Sequence, residues 1–338
     1  MSSFNIKEKN IIYLDPKTSD FSNIAAGLLI QAIGNQRSVA YINFENKAIK
    51  LTNFIENVSL SYSFVKALNR FHVDIYNFKD ENKISKTIIP LVEFCMISTD
   101  MFYNSLNNYD LIIIDNYNSK YMSNIKIKSV IENNPKAQVI LITANEKIFK
   151  NISIHFNTKI HCKYTKNKTI TTNLSSIVNI VGDAMGKSLY SIGYLLRQFL
   201  YKKDVKLIYF DKGDNIYGDA VFFKALKKWV IENNLYGTFD FVKTGIKRYT
   251  TQGYRIENTI LDRKEAKDTL MLLKTALKKQ TPVVADELNT IIYKNILKIE
   301  EILPILNNVK NELIITGKTS HKELLNISKD IIDINLIT

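Results

Sequence analysis

One stretch constrains this chain more than any other: Ile177-Val178-Asn179-Ile180-Val181-Gly182-Asp183-Ala184-Met185-Gly186-Lys187-Ser188. An apolar, β-branched run stops at a glycine and crosses a short loop with a second glycine. It then enters Leu189-Tyr190-Ser191-Ile192-Gly193-Tyr194-Leu195-Leu196, which reads as a helix. Strand, glycine loop and helix make an α/β unit whose loop is built like a phosphate cradle. Glycines let backbone N–H groups turn inward with no Cβ in the way, and the helix presents its positive end. A lysine followed by a hydroxyl residue adds a point charge and a magnesium ligand. The usual pattern has a glycine six positions before the lysine; here Val181 stands there and the glycine comes next, at Gly182. The loop is therefore one residue short, and the alternative reading is an ordinary αβ turn with a coincidental Gly-Lys-Ser.

The first half repeats the rhythm of the second. Asn10-Ile11-Ile12-Tyr13-Leu14 reads as a buried strand, 21–33 as a helix, and Ser38-Val39-Ala40-Tyr41-Ile42-Asn43-Phe44 as a second strand. Placing Phe44 on Phe210 puts Gly27 on Gly193 and Ser22 on Ser188, but Phe21 on Lys187 and Asp20 on Gly186. An acidic side chain and a phenylalanine cannot replace a glycine and a cation, so the first copy has lost the cradle. Downstream, Asp110-Leu111-Ile112-Ile113-Ile114-Asp115 matches Pro282-Val283-Val284-Ala285-Asp286, each a hydrophobic strand ending in aspartate. Helices follow at 125–133 and 299–307, then the strands Gln138–Thr143 and Glu312–Thr316. Strands alternating with helices predict mostly parallel sheets flanked by helices. At 338 residues there is room for two such domains. The expected fold is α/β, two tandem RecA-like P-loop domains, 1–170 without a phosphate loop and 171–338 with one. The polar run 163–169 is the expected connection, and the first copy is expected to serve as an intramolecular pseudo-dimer partner.

In the second copy Asp286-Glu287 ends a buried strand, at the sheet edge where ligands bind in such folds. A carboxylate there can hold a hydrated magnesium while Ser188 coordinates it directly, and Glu287 can orient a water or the metal. An acidic pair capping the next helix is the simpler alternative. Thr316-Gly317-Lys318 closes the following strand, either facing the phosphates or starting a helix.

These pieces carry a family resemblance. In order and spacing, the loop 182–188, Tyr209-Phe210-Asp211-Lys212-Gly213, Asp286-Glu287-Leu288-Asn289, Ile314-Ile315-Thr316-Gly317-Lys318 and 323–330 resemble the P-loop ATP:corrinoid adenosyltransferases. The likeness covers 175–338, and the short loop is one that this family uses. It implies transfer of the 5′-deoxyadenosyl group of ATP to the Co(I) of a corrinoid, with Mg2+ as cofactor and ATP and a corrinoid as partners. Carried over, Gly182, Asp183, Gly186, Lys187, Ser188 and Leu189 bind the nucleotide, Ser188 and Asp286 hold the metal, and Lys187 and Glu287 act catalytically. Ala184 and Met185 depart from the family's glycine and lysine, and Ile246 and Arg248 stand where an aromatic pair is usual. Arg248, Tyr249 and Tyr254 are the corrinoid-facing candidates. A non-catalytic ATP-binding descendant, acting as regulator or scaffold for a protein partner, is the first alternative; an ATP-dependent nucleic-acid-binding protein is the second.

Charge bears on that last alternative. The excess of 46 Lys+Arg over 33 Asp+Glu gives +13, but the lysines are spread along the whole chain and arginines are scarce. A solvated lysine surface is expected rather than a nucleic-acid patch. Cys95 and Cys162 belong to no Cys-x-x-Cys pair, and His161 beside Cys162 makes no metal site by itself. The polar start Met1-Ser2-Ser3-Phe4-Asn5 and the lack of any span-length apolar run predict a cytoplasmic, membrane-free protein.

Overall fold

The structure is a computed structural model that describes residues 9–15, 22–44, 72–80, 83–89, 93–115, 117, 122–167, 176–183, 186–200, 204–210, 218–232, 239–243, 249–250, 253–254, 260–279, 281–307 and 309–337. The chain divides into two compact units, 2–162 with 217–234 and 336–338, and 163–216 with 235–335.

The N-terminal unit runs β1 (Lys9–Leu14), α1 (Ser22–Gly34), β2 (Ser38–Phe44), β3 (His72–Asp80), β4 (Lys83–Ile89), β5 (Glu93–Ile97), α2 (Thr99–Ser105), β6 (Leu111–Asp115), α3 (Asn124–Asn133), β7 (Gln138–Thr143), α4 (Glu146–Ile152) and β8 (Thr158–Lys166). Its strand order is β8-β1-β7-β6-β2-β3-β4-β5, parallel as far as β3 and antiparallel beyond it. Every residue of β6 and β7 is buried, as continuous apolar strands covered on both faces require. Its helices start on capping side chains: Ser98 accepts from the Met101 N–H, Ser123 from Lys126 and Asn145 from Ile148.

The second half of the chain runs β9 (Ile177–Val181), α5 (Lys187–Leu200), β10 (Val205–Tyr209), α6 (Gly218–Glu232), β11 (Phe239–Lys243), β12 (Tyr249–Thr250), β13 (Gly253–Tyr254), α7 (Ile260–Lys278), β14 (Val283–Asp286), α8 (Leu288–Tyr293), α9 (Ile299–Leu306), β15 (Leu313–Thr316), α10 (Lys322–Ile327) and β16 (Asp330–Leu336). Of these, α6 groups with the N-terminal unit, where it packs on α1. The sheet of the C-terminal unit has the order β11-β10-β14-β15-β9-β16 and is parallel throughout; β12 and β13 form a separate antiparallel pair. Its core is the apolar layer of Leu270, Leu273, Val283, Ala285, Ile291, Ile302, Leu313 and Ile315 between the sheet and α7, α8 and α9.

The fold is thus α/β, with mostly parallel strands and flanking helices. Strand for strand the two orders correspond: β8, β1, β7, β6, β2, β3 in one unit and β16, β9, β15, β14, β10, β11 in the other. Sequence patterning passed over β3 and β4, because polar and charged residues are buried within them, and over β5, whose Phe94 and Met96 are exposed. Asp74 of β3 is 1% exposed and meets His72 Nε2 at 3.1 Å and Lys86 Nζ at 2.6 Å. A strand that buries an ion pair does not show the alternation that reveals a strand. The helix read through Asn307 ends at Leu306, with Asn307 as its cap. Among the described residues no helix is long and apolar enough to cross a membrane.

Candidate functional site

The site gathers at the carboxyl ends of β9, β14, β15 and β16. These ends meet because the four strands are parallel neighbours, with β15 between β14 and β9. The loop leaving β9 turns at Gly182, where φ is +118°, and again at Gly186, where φ is +122°. The two glycines are required for different reasons. A Cβ on Gly182 would stand 2.1 Å from the Ile334 carbonyl oxygen in β16, whereas among the described residues one on Gly186 would touch only the Ile334 side chain, at 3.7 Å. Gly182 therefore serves both a backbone twist and a close approach; Gly186 serves the twist alone. The Gly182 N–H donates to the Lys318 carbonyl at 3.0 Å, and the Asp183 N–H to Asn335 Oδ1 at 3.3 Å. Ala184 and Met185 lie outside the described residues.

α5 begins immediately after the second turn, with the Tyr190 N–H donating to the Gly186 carbonyl at 2.7 Å. Its first residue, Lys187, folds its ammonium back on the loop and donates to the Gly182 carbonyl at 2.8 Å. Burial pushes this ammonium below the usual lysine value. Glu287, Asp286 and Asp183 pull it up again, and Lys318 pushes it further down. Ser188 Oγ donates to the Asp286 carboxylate, 2.9 Å from Oδ1 and 3.1 Å from Oδ2. Leu189 is buried, and Asp183 is exposed.

Asp286 is 1% exposed, and its Oδ1 also accepts from the Thr316 hydroxyl at 2.7 Å. Glu287 takes the left-handed backbone region, φ +66°, although it is not glycine. Strain of this kind, held in place by its surroundings, gathers at functional sites. Glu287 stands at the N-cap of α8 without capping it through its side chain. Its carboxylate instead accepts from the Thr290 hydroxyl at 2.5 Å, and its N–H donates to Thr316 Oγ1 at 2.9 Å. Behind this row lies a buried amide and hydroxyl network. Asn289 Nδ2 donates to Asn179 Oδ1 at 2.8 Å, Asn179 Nδ2 donates to Ser320 Oγ at 2.9 Å, and Ser320 Oγ donates to Asn289 Oδ1 at 3.1 Å. The network ties β9, α8 and the turn before α10 together. α10 begins at Lys322, after a bend, so Thr316-Gly317-Lys318 does not open a helix.

The structure therefore brings Gly182, Gly186, Lys187, Ser188, Asp286 and Glu287 into one constellation. Arg248 lies outside the described residues, and Tyr249 and Tyr254 are described only as register partners in the β12–β13 pair. The Ile334 and Asn335 atoms escaped the sequence reading, and Thr316 was read only within a turn that faces the phosphates or starts a helix, without its carboxylate partner. All three come from strands whose own patterns say nothing of a partner far away in the chain. A metal here would find one hydroxyl and one carboxylate. Among the described residues no group of three or more His, Cys, Asp or Glu is gathered. Two hard oxygens suit Mg2+, which keeps its waters and takes the rest of its shell from phosphate.

Residues 174–337 match the family described as ATP:corrinoid adenosyltransferase BtuR/CobO/CobP. The match starts just before β9 and ends at the last residue of the described chain, so it takes in the whole constellation. No curated protein matches the chain.

In the N-terminal unit Asp115 ends β6 as Asp286 ends β14, and its Oδ2 accepts from the Tyr41 hydroxyl at 2.6 Å. Burial raises the Tyr41 phenol well above its usual value, with the Asp115 charge adding to the rise.

Proposed function

We propose that the C-terminal unit is an ATP:corrinoid adenosyltransferase that moves the 5′-deoxyadenosyl group of ATP to the Co(I) of a corrinoid. The observation that carries this reading is the Lys187–Ser188–Asp286 constellation behind two left-handed glycines, inside the segment that matches the family. Co(I) supplies the electron pair for the new bond to C5′. The C5′–O5′ bond breaks, its electrons stay on oxygen, and triphosphate leaves. The protein needs no nucleophile of its own, and its residues act by holding charge and geometry.

Lys187 is placed to leave the Gly182 carbonyl for the triphosphate, neutralising charge that grows on the leaving group. Backbone N–H groups at the start of α5 cradle the phosphates, since those of Gly182 and Asp183 donate to Lys318 and Asn335. Ser188 would hold Mg2+ through a lone pair while its hydroxyl proton is donated to Asp286, and the metal would supply further neutralisation of phosphate charge. Glu287 would orient a water or the metal. Arg248, Tyr249 and Tyr254 are the proposed corrinoid-facing residues.

We further propose that the chain is a tandem duplication of RecA-like P-loop domains, with a boundary near 163–169 and a first copy that no longer binds nucleotide. The matching strand orders support the duplication. The Tyr41 ring supports the loss, since it takes the carboxylate contact that Ser188 makes in the second copy.

Lys187→Ala tests the reading. ATP affinity measured by calorimetry should fall about a hundredfold, the scale of one lost charged contact with its desolvated partners. Unchanged affinity would contradict the assignment of the loop.

A further inference from the structure

We propose that Thr316 is the positioning residue of this site: its hydroxyl fixes the Asp286 carboxylate so that it holds the Ser188 proton, and thereby sets the metal-dependent part of nucleotide affinity. The proposal rests on the nucleotide-binding reading above and adds a residue to it.

Hydrogen-bond directions leave Thr316 one role. A threonine hydroxyl has one proton and two lone pairs. At 2.9 Å it faces the Glu287 N–H, which can only donate, and at 2.7 Å the Asp286 Oδ1 atom. Its proton must therefore go to the carboxylate. Thr316 is fully buried, and no water competes for that proton.

The consequence falls on Asp286. Its Oδ1 accepts from Thr316 at 2.7 Å and from Ser188 at 2.9 Å, and Oδ2 accepts the longer Ser188 contact at 3.1 Å. The terminal torsion of an aspartate is soft and roughly two-fold, so its setting depends on hydrogen bonds such as the one from Thr316, the shortest of these three. With Asp286 held, the Ser188 proton has a fixed acceptor, which leaves the Ser188 lone pairs for a cation.

The support beneath Thr316 is rigid. Gly317 donates to the Ile180 carbonyl at 3.2 Å, and the Lys318 carbonyl accepts from Gly182 at 3.0 Å. A Cβ on Gly317 would lie 2.5 Å from Asn289 Cβ, so the turn is pressed against α8. Thr316 thus joins the phosphate loop to the Asp286–Glu287 turn. Its second bond also accepts the N–H of the left-handed Glu287, which keeps that carboxylate on its present course.

Thr316→Ser and Thr316→Ala both remove the methyl group and differ only in the hydroxyl, while Thr316→Val keeps the shape without it. ATP binding is measured by calorimetry for each, once with Mg2+ and once with a chelator in its place, alongside the native chain and Lys187→Ala. Thermal unfolding shows which variants are folded; should Ala fail to fold, Val against Ser carries the comparison. We expect Ser to stay close to native. Ala and Val should lose the Mg2+-stimulated part of affinity by about tenfold, the scale of one hydrogen bond to a charged group, and keep their affinity in chelator. Ala equal to Ser under both conditions overturns the proposal. Equal losses with and without Mg2+ also overturn it, since they mark a purely structural residue. Native-like binding by Lys187→Ala is a different outcome: it overturns the nucleotide-site reading, and this proposal with it.

Discussion

The two glycines of the phosphate loop make different demands. Gly182→Ala drives a Cβ into the Ile334 carbonyl in a left-handed conformation, and neither backbone can move away. We predict a loss on the order of 4 kcal/mol, at the high end for a point change. Gly186→Ala meets only an ordinary side-chain contact, so its cost is the conformational one alone, about 1–2 kcal/mol. Chemical denaturation of the two variants checks the order; equal losses would mean that the Ile334 approach is not what Gly182 serves. Lys187 gives a second residue-scale prediction. Its ammonium titrates below the usual 10.5 because it is buried, so the charge that meets the phosphates is lost earlier as pH rises. ATP affinity of the native chain should decline on the alkaline side before an ordinary lysine would titrate, and the decline should be absent in Lys187→Ala. The strand, turn and helix at 177–200 were legible in the sequence because an apolar run, two glycines and a periodic segment declare themselves locally. Thr316 was read only within a turn that faces the phosphates or starts a helix, because its partners lie 29 and 30 residues earlier.

Among the elements, the parallel strands that carry the site are held in register behind the ligand face by the Asn179–Asn289–Ser320 network. Its two amides are inside the protein, Asn179 at 0% and Asn289 at 1% exposure, and Ser320 is half-buried. Asn289→Ala should cost about 2–3 kcal/mol, because Asn179 Oδ1 then keeps its desolvation without its donor. The unfolding midpoint in urea measures this, and a loss under half a kcal/mol would show that the network is dispensable. Strands such as β6, β7, β14 and β15 announced themselves as short apolar runs, since both their faces are covered. By contrast β3 and β4 bury Asp74 against Lys86 and His72, with the Tyr109 hydroxyl also donating to Asp74, so their polarity hid them. β16 went unrecognised for another reason: in Asp330–Leu336 only Ile332 and Ile334 are buried, and so short an alternation is weak evidence by itself.

For the whole molecule, the account assigns one working site to a chain with two units of matching strand order. Asp286→Asn should weaken Mg2+-dependent ATP binding by tenfold or more, roughly the value of a charged hydrogen bond to Ser188. Asp115→Asn should leave it unchanged, because the Tyr41 hydroxyl already occupies that carboxylate. A stoichiometry of one ATP per chain would agree, and two would show a second cradle in the N-terminal unit. The fold class and the matching order of elements in the two halves were readable from alternating strand and helix patterns. A corrinoid-facing stretch was not, because Ile246 and Arg248 stand where the family's aromatic pair would have identified it. The adenosyl transfer itself is tested by an anaerobic assay with reduced corrinoid, ATP and Mg2+, run on the native chain and on Lys187→Ala. Adenosylated corrinoid and triphosphate are expected from the native chain, and loss of both in the variant. ATP binding without any adenosylated product would contradict the transfer.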